Sequence, residues 1–87
     1  MIYSTSDSRL ASFLQIRGVT LQGTDTRYQG DEDRVHLLFE VDEDRITGLK
    51  REFFEGGQVP ALEFANVMKS TMHAIREARE LSRESLR

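Results

Sequence analysis

The sequence predicts a small α+β domain in which an antiparallel β-hairpin is covered by helices. Residues 34–41 alternate apolar and polar side chains with a period of two, which is typical of a strand with one buried face. A weaker strand pattern, 19–28, precedes it across a short polar turn. Three stretches, 6–17, 42–55 and 60–84, carry apolar residues at the spacing of amphipathic helices. The predicted order is therefore an optional strand, a helix, two strands and two helices.

The composition bounds the size and the class of the protein. The chain has 87 residues, so we expect residues 1–87 to fold as a single domain. A net charge of −3 points away from general duplex-DNA binding, which concentrates positive charge. The chain has no cysteine, which excludes disulfide and thiolate chemistry. It also lacks a signal-peptide pattern and any apolar run near the ~20 residues that span a bilayer, and we expect it to be cytoplasmic.

The N-terminal elements are predicted from a short apolar segment and a cluster of capping side chains. Residues 1–3 suit a brief third strand. Thr5 and Asp7 lie in a run of Ser, Thr and Asp, whose oxygens accept hydrogen bonds from the first N–H groups of a helix. Gly18 suits the left-handed conformation that closes many helices. These signals predict a helix over 6–17.

The hairpin is organised around the strand 34–41. Its two faces are predicted from the alternation, with Val35, Leu37, Phe39 and Val41 on one and His36, Leu38 and Glu40 on the other. The preceding strand, 19–28, is interrupted by Gly23, which indicates a bulge or a close approach of another backbone. Residues 29–33 are polar and acidic and form the predicted turn.

The two C-terminal helices are bounded by acids, glycines and a proline. The acids at 42–44 favour the start of a helix because they lie at the positive end of its dipole. Gly56 and Gly57 end that helix, and Pro60 suits the first position of the next. The apolar stripes expected to face the core are Ile46, Leu49 and Phe53, then Ala61, Phe64, Met68, Met72, Ile75 and Ala78.

The last predicted helix, 60–84, is long for so small a domain. At ~1.5 Å per residue it spans roughly 37 Å. A globule of this size is about 30 Å across. We therefore expect its C-terminal end to project, to fray or to pack on another surface.

The order of these signals resembles a family of short bacterial and phage proteins known only as a domain of unknown function. The matching residues are Thr5, Asp7, Ala11, Leu14 and Gly18 at the first helix, Leu37 and Phe39 in the strand, and Phe53 or Phe54, Val59 and Phe64 in the later helices. The resemblance covers nearly the whole chain except the hairpin tip. It implies no activity, cofactor or catalytic residue, and it favours an accessory protein of a phage or mobile element.

The candidate chemical groups are better explained as structural features. His36 and His73 have no second ligand nearby in sequence, so we interpret them as surface or half-buried side chains. The acids at 31–33 could attract a divalent cation, but a solvated hairpin tip explains them. The glycines at 56–57 lack the lysine and hydroxyl of a phosphate loop. We predict a protein that is not an enzyme, with no catalytic residue, no cofactor and no metal.

A second apolar line on the last helix predicts self-association. Val67, Ala74 and Leu81 recur every seven residues, the spacing used in close helix pairing. We predict that these residues form a two-fold homodimer interface. The alternative is a single broad buried face with a frayed tail after Ala78.

Positive side chains supply a competing hypothesis. The candidate nucleic-acid contacts are Lys50, Arg51, Arg76, Arg79 and Arg83. The last three lie along one side of the final helix and could follow a phosphate backbone. Glutamates alternate with them, and Arg76 and Glu80 are spaced for an ion pair, which favours a solvated, salt-bridged face.

The function predicted from these patterns is that of a non-enzymatic, self-associating module that binds another protein. In the setting that the resemblance implies, it would inhibit or adapt a host protein. The alternatives are a single-stranded nucleic-acid-binding protein and a small-ligand binder, which needs a pocket with convergent polar groups. The partner is not identified by the sequence, and no membrane association is predicted.

Overall fold

The α+β class and the predicted element order are confirmed, and the optional first strand is present. A computed structural model describes residues 1–29 and 32–85. Its elements are β1 (Ile2–Thr5), α1 (Ser8–Ile16), β2 (Leu21–Gln29), β3 (Glu32–Glu40), α2 (Glu43–Phe54) and α3 (Ala61–Ser85). Within these ranges, no helix is both long enough and apolar enough to cross a membrane.

The three strands form one antiparallel sheet in the order β1-β3-β2. β1 pairs with the second half of β3, from Ile2 opposite Glu40 to Thr5 opposite Leu37. β2 pairs with β3 from Leu21 opposite Phe39 to Gln29 opposite Glu32, and its register shifts between Leu21 and Gly23, where a bulge was one of the predicted features. β3 is thus the central strand of the sheet.

The core lies on one face of the sheet, beneath the helices. Its buried cluster is Leu10, Ala11, Leu14, Val19, Val35, Leu37, Phe39, Val41, Ile46, Ile75 and Ala78. Val35, Leu37 and Phe39 alternate with the less buried His36 and Leu38, as a half-buried central strand requires.

Asp7 is the N-cap of α1. Its backbone is extended, and its Oδ1 accepts hydrogen bonds from the N–H groups of Arg9 (2.9 Å) and Leu10 (3.3 Å). Thr5 Oγ1 accepts from the Asp7 N–H at 3.1 Å. The helix begins at Ser8, two residues later than predicted, because Thr5 still belongs to β1.

The boundaries of α2 and α3 follow the predicted signals. Asp42 is the N-cap of α2 without a side-chain hydrogen bond, and Glu43 lies in the first turn. Gly56 has a φ of +85°, which a side chain disfavours, and α2 ends just before it. Pro60 precedes α3, and its carbonyl accepts from Phe64 N at 2.9 Å.

The buried face of α3 differs from the predicted stripe. Thr71 is almost fully buried with Ile75 and Ala78, whereas Met72 is 40% exposed and Ala61 is exposed. Met72 was predicted to be a core residue, and this was wrong. Thr71 lies in the centre of the face that packs on α1 and the sheet, and the next residue is rotated ~100° away from that centre.

A polar contact joins α1 and α3 inside this interface. Ser12 Oγ lies 2.8 Å from the Ser8 carbonyl, 3.0 Å from Met68 Sδ and 3.2 Å from Thr71 Oγ1. The Gln15 amide donates to Thr71 Oγ1 at 3.0 Å. Buried hydroxyls need such partners, so the contact fixes how the two helices face each other.

The strands of the hairpin run closer to its tip than predicted, and the hairpin supports the long helix. Both strands of the hairpin have nine residues, and α3 packs on β2 and β3. The domain measures 42 × 28 × 21 Å, so its longest dimension is close to the length of α3. The helix stays in contact with the core as far as Ala78, beyond which Leu81 is exposed.

Candidate interaction surfaces

The predicted dimer line lies beside the buried face of α3. Val67 and Ala74 are half-buried, and Leu81 is 64% exposed. Taking ~100° per residue, the three side chains are rotated roughly 40–80° from the buried Thr71. The line therefore begins at the rim of the protein's own core and ends outside it.

The positive side chains of α3 form no ion pairs with its acids in the described residues. Arg76, Arg79 and Arg83 are exposed, and with Lys69 they occupy an arc of roughly 80°, again at ~100° per residue. In the described part of the chain these four side chains make no ion pair or hydrogen bond, so the predicted pair between Arg76 and Glu80 is not formed. The arc is a local basic surface on an acidic protein.

The two remaining candidate nucleic-acid contacts lie on α2. Lys50 is half-buried, and its Nζ lies 5.4 Å from the centre of the Tyr3 ring. Such a cation–π contact stabilises the packing of α2 against β1. Arg51 is exposed. Lys50 is thus engaged within its own domain, and Arg51 is a single exposed charge.

The two histidines occupy different environments. His36 is half-buried on the sheet face opposite the core, and within residues 1–29 and 32–85 neither ring nitrogen has a hydrogen-bond partner, although both are shielded from solvent. Glu40, also on β3, has its Oε1 3.2 Å from the N-terminal amine. His73 is exposed, and its Nε2 lies 3.8 Å from Glu77 Oε2.

A search for metal ligands gives no cluster. Over the ranges that the structure describes, no group of three or more histidines and acids is placed to hold a metal ion. The predicted acidic turn lies partly outside these ranges, since Asp31 is not among the described residues. The described backbone at Glu32 and Asp33 is already part of β3.

Phe54 forms an exposed aromatic surface that the sequence did not predict. It follows Phe53, which was predicted to face the core, yet Phe54 is 71% exposed at the end of α2. Its ring packs edge-on against Phe53 at 5.2 Å, and Phe53 packs on the buried Phe13 at 5.4 Å. The exposed ring is therefore held by contacts that reach the core.

Arg17 fixes the connection between α2 and α3, and the sequence analysis did not single it out. Its guanidinium donates to Glu52 Oε1 (2.6 and 3.0 Å) and to the Gln58 carbonyl (2.8 Å). The same group lies 4.8 Å from the centre of the Phe13 ring. Because Arg17 ends α1, these contacts hold the chain after Phe54 against the body. No local spacing indicates them, since Glu52 lies 35 residues away.

The comparisons with known proteins add no assignment to these surfaces. No protein-family model, curated protein or solved structure matches the chain. The resemblance to short phage and bacterial proteins stays a prediction, and the function has to be inferred from the surfaces themselves.

Proposed function

We propose that this protein is a non-enzymatic binding module that forms a homodimer through α3 and binds a second protein. The observation that carries the proposal is the exposure of Leu81 at the end of a line that begins with half-buried Val67 and Ala74. This line extends from the edge of the core to apolar surface that the monomer leaves exposed. A small domain has a limited core and gains stability from burying such a surface.

Helix pairing is the arrangement that this line suits. Its seven-residue repeat matches the spacing at which two helices stay in contact. Ala74, in the middle of the line, allows two backbones to approach closely because its side chain is small. Leu81 then contacts apolar surface of the other copy rather than water, which favours association.

Light scattering on three proteins tests this interface. Leu81→Glu places a charge in the contact and is expected to shift the protein to monomer at micromolar concentration. Leu62→Glu is the matched control, because Leu62 is 76% exposed on the same helix but on a side rotated ~100° from Leu81. Loss of the dimer in both variants, or in neither, would contradict an interface at Leu81.

The second protein is proposed to bind at Phe54. Exposed aromatic rings that are already held in position are frequent anchors of protein interfaces, because little side-chain entropy is lost on binding. We propose a cytoplasmic setting, and in the setting that the resemblance implies the module inhibits or adapts a host protein. Pull-down with wild type and with Phe54→Ser is the test, with Phe54→Tyr as the control that keeps the ring. A partner retained by Phe54→Ser would place the surface elsewhere.

Nucleic-acid binding is the second candidate, because Lys69, Arg76, Arg79 and Arg83 form no ion pair within the part of the chain that the structure describes. Against it, the net charge is −3, and no exposed aromatic platform accompanies the arc in the described residues. Anisotropy with labelled single-stranded and duplex DNA is expected to show no micromolar complex near physiological salt. A tight complex that is lost on replacing Arg76, Arg79 and Arg83 would favour this candidate instead.

A further inference from the structure

The outer edge of β2 is an open strand edge beside the proposed dimer helix. β2 is the last strand of the sheet, and no described strand pairs with its outer side. α3 packs on β2 and β3, whereas β1 contacts α1. A second copy that approaches α3 therefore also approaches this edge.

The direction of the backbone groups on this edge follows from the pairing at the start of the chain. Val41 N–H donates to the Met1 carbonyl at 3.0 Å, and the N-terminal amine donates to the Val41 carbonyl at 3.3 Å. Along an antiparallel strand, alternate residues bond to opposite neighbours, so Val35 directs its backbone groups to the side of β1. Thr26 lies opposite Val35, and its N–H and C=O therefore point outward from β2.

The charged residues on either side of Thr26 are complementary to the same residues of a second copy that is related by a two-fold axis. Asp25 and Arg27 are about half exposed, and Arg27 Nε lies 3.0 Å from Asp25 Oδ2. If two β2 strands pair antiparallel about Thr26, Asp25 of each copy faces Arg27 of the other. Registers centred on Asp25 or on Arg27 instead place like charges opposite each other, which is unfavourable. Of these three registers, the charge pattern favours the one centred on Thr26.

We propose that the β2 edges of two copies of this chain pair antiparallel about Thr26, forming one continuous sheet of six strands. This inference rests on the proposed homodimer and names the second half of its interface. A two-fold axis through the sheet places both α3 helices on the same face, where the line ending at Leu81 lies. Backbone hydrogen bonds then supply affinity, and the Asp25–Arg27 pairs set the register.

A charge swap measured by sedimentation equilibrium tests this register. Asp25→Arg and Arg27→Asp each create two like-charge contacts across the two-fold axis and are expected to raise the dimer dissociation constant about tenfold. The double swap restores both contacts and is expected to return the constant to within about threefold of wild type. Arg51→Asp changes the net charge as Arg27→Asp does, but at an exposed site on α2, and is expected to leave the constant unchanged.

The outcomes separate this inference from the proposed function. If Leu81→Glu abolishes the dimer but the single swaps have no effect, the edge pairing is wrong and the helix interface stands. If the double-swap variant dimerises as weakly as the single-swap variants, charge complementarity does not set the register. Amide exchange at Thr26 is a second measurement that needs no substitution. The N–H is expected to exchange more slowly as dimer forms, and an unchanged rate would overturn the pairing.

Discussion

Asp7 shows how one side chain sets the start of an element. Its carboxylate occupies two N–H groups of the first turn of α1 that have no partner within the helix. The sequence predicted this role because capping residues are short, polar and local. The helix start still differed by two residues, since the extent of β1 depends on pairing with β3.

Removing the cap is expected to destabilise the fold measurably. Replacing Thr5 and Asp7 together with alanine should lower the free energy of unfolding by about 1–2 kcal/mol. Urea unfolding followed by circular dichroism measures this, with Asp7→Asn as the control that keeps a capping oxygen. An unchanged midpoint in the double variant would show that the cap contributes nothing.

Alanine substitutions at two glycines, one within α2 and one after it, are expected to change the free energy of unfolding in opposite directions. A Cβ on Gly57 would lie 3.0 Å from the Glu52 carbonyl oxygen and 3.2 Å from the Phe13 ring, whereas a Cβ on Gly48 meets nothing within 4 Å. Gly57→Ala should therefore cost about 1–3 kcal/mol through overpacking. Gly48→Ala should add about 0.5–1 kcal/mol, because it lies within a helix. Equal shifts of the two urea midpoints would contradict this packing.

At the scale of elements, apolar patterns predicted most of the architecture and missed the polar contacts. Apolar residues recur at strand spacing in β3 and at helical spacing in α2 and α3, so a single deviating position does not hide the pattern. Ser12 and Thr71 are polar and carry no apolar signal, although both are buried. The more apolar Met72, beside Thr71, was assigned to the core instead. Contacts such as that between Arg17 and Glu52 join distant positions, and only the assembled fold shows them.

The α1–α3 contact is expected to behave as a coupled pair. Thr71→Val keeps the shape but removes one of the two acceptors of the Gln15 amide, Thr71 Oγ1 at 3.0 Å, and leaves the Ala11 carbonyl at 3.2 Å; the loss should cost about 1–2 kcal/mol. Adding Gln15→Leu removes the donor, so the double variant should lose less than the sum of the single variants. Urea midpoints of the four proteins measure the coupling. Strict additivity would mean that the hydrogen bond is not formed.

At the scale of the whole molecule, the long helix α3 and the open edge of β2 lie on the same part of the domain. The sequence predicted a helix longer than the body, and the observed strands run closer to the hairpin tip than predicted, to Gln29 in β2 and from Glu32 in β3. The residues near the tip are polar and carry little apolar alternation, which is why Gln29, Glu32 and Asp33 were assigned to the turn.

Sedimentation equilibrium of the wild-type chain over a range of concentrations tests the central claim, self-association, most directly. The monomer has a mass of 10.0 kDa. We expect the average mass to rise with concentration toward twice this value and no further, because a two-fold contact closes on itself. A protein that stays monomeric at high micromolar concentration would contradict both the helix interface and the pairing of the β2 edges.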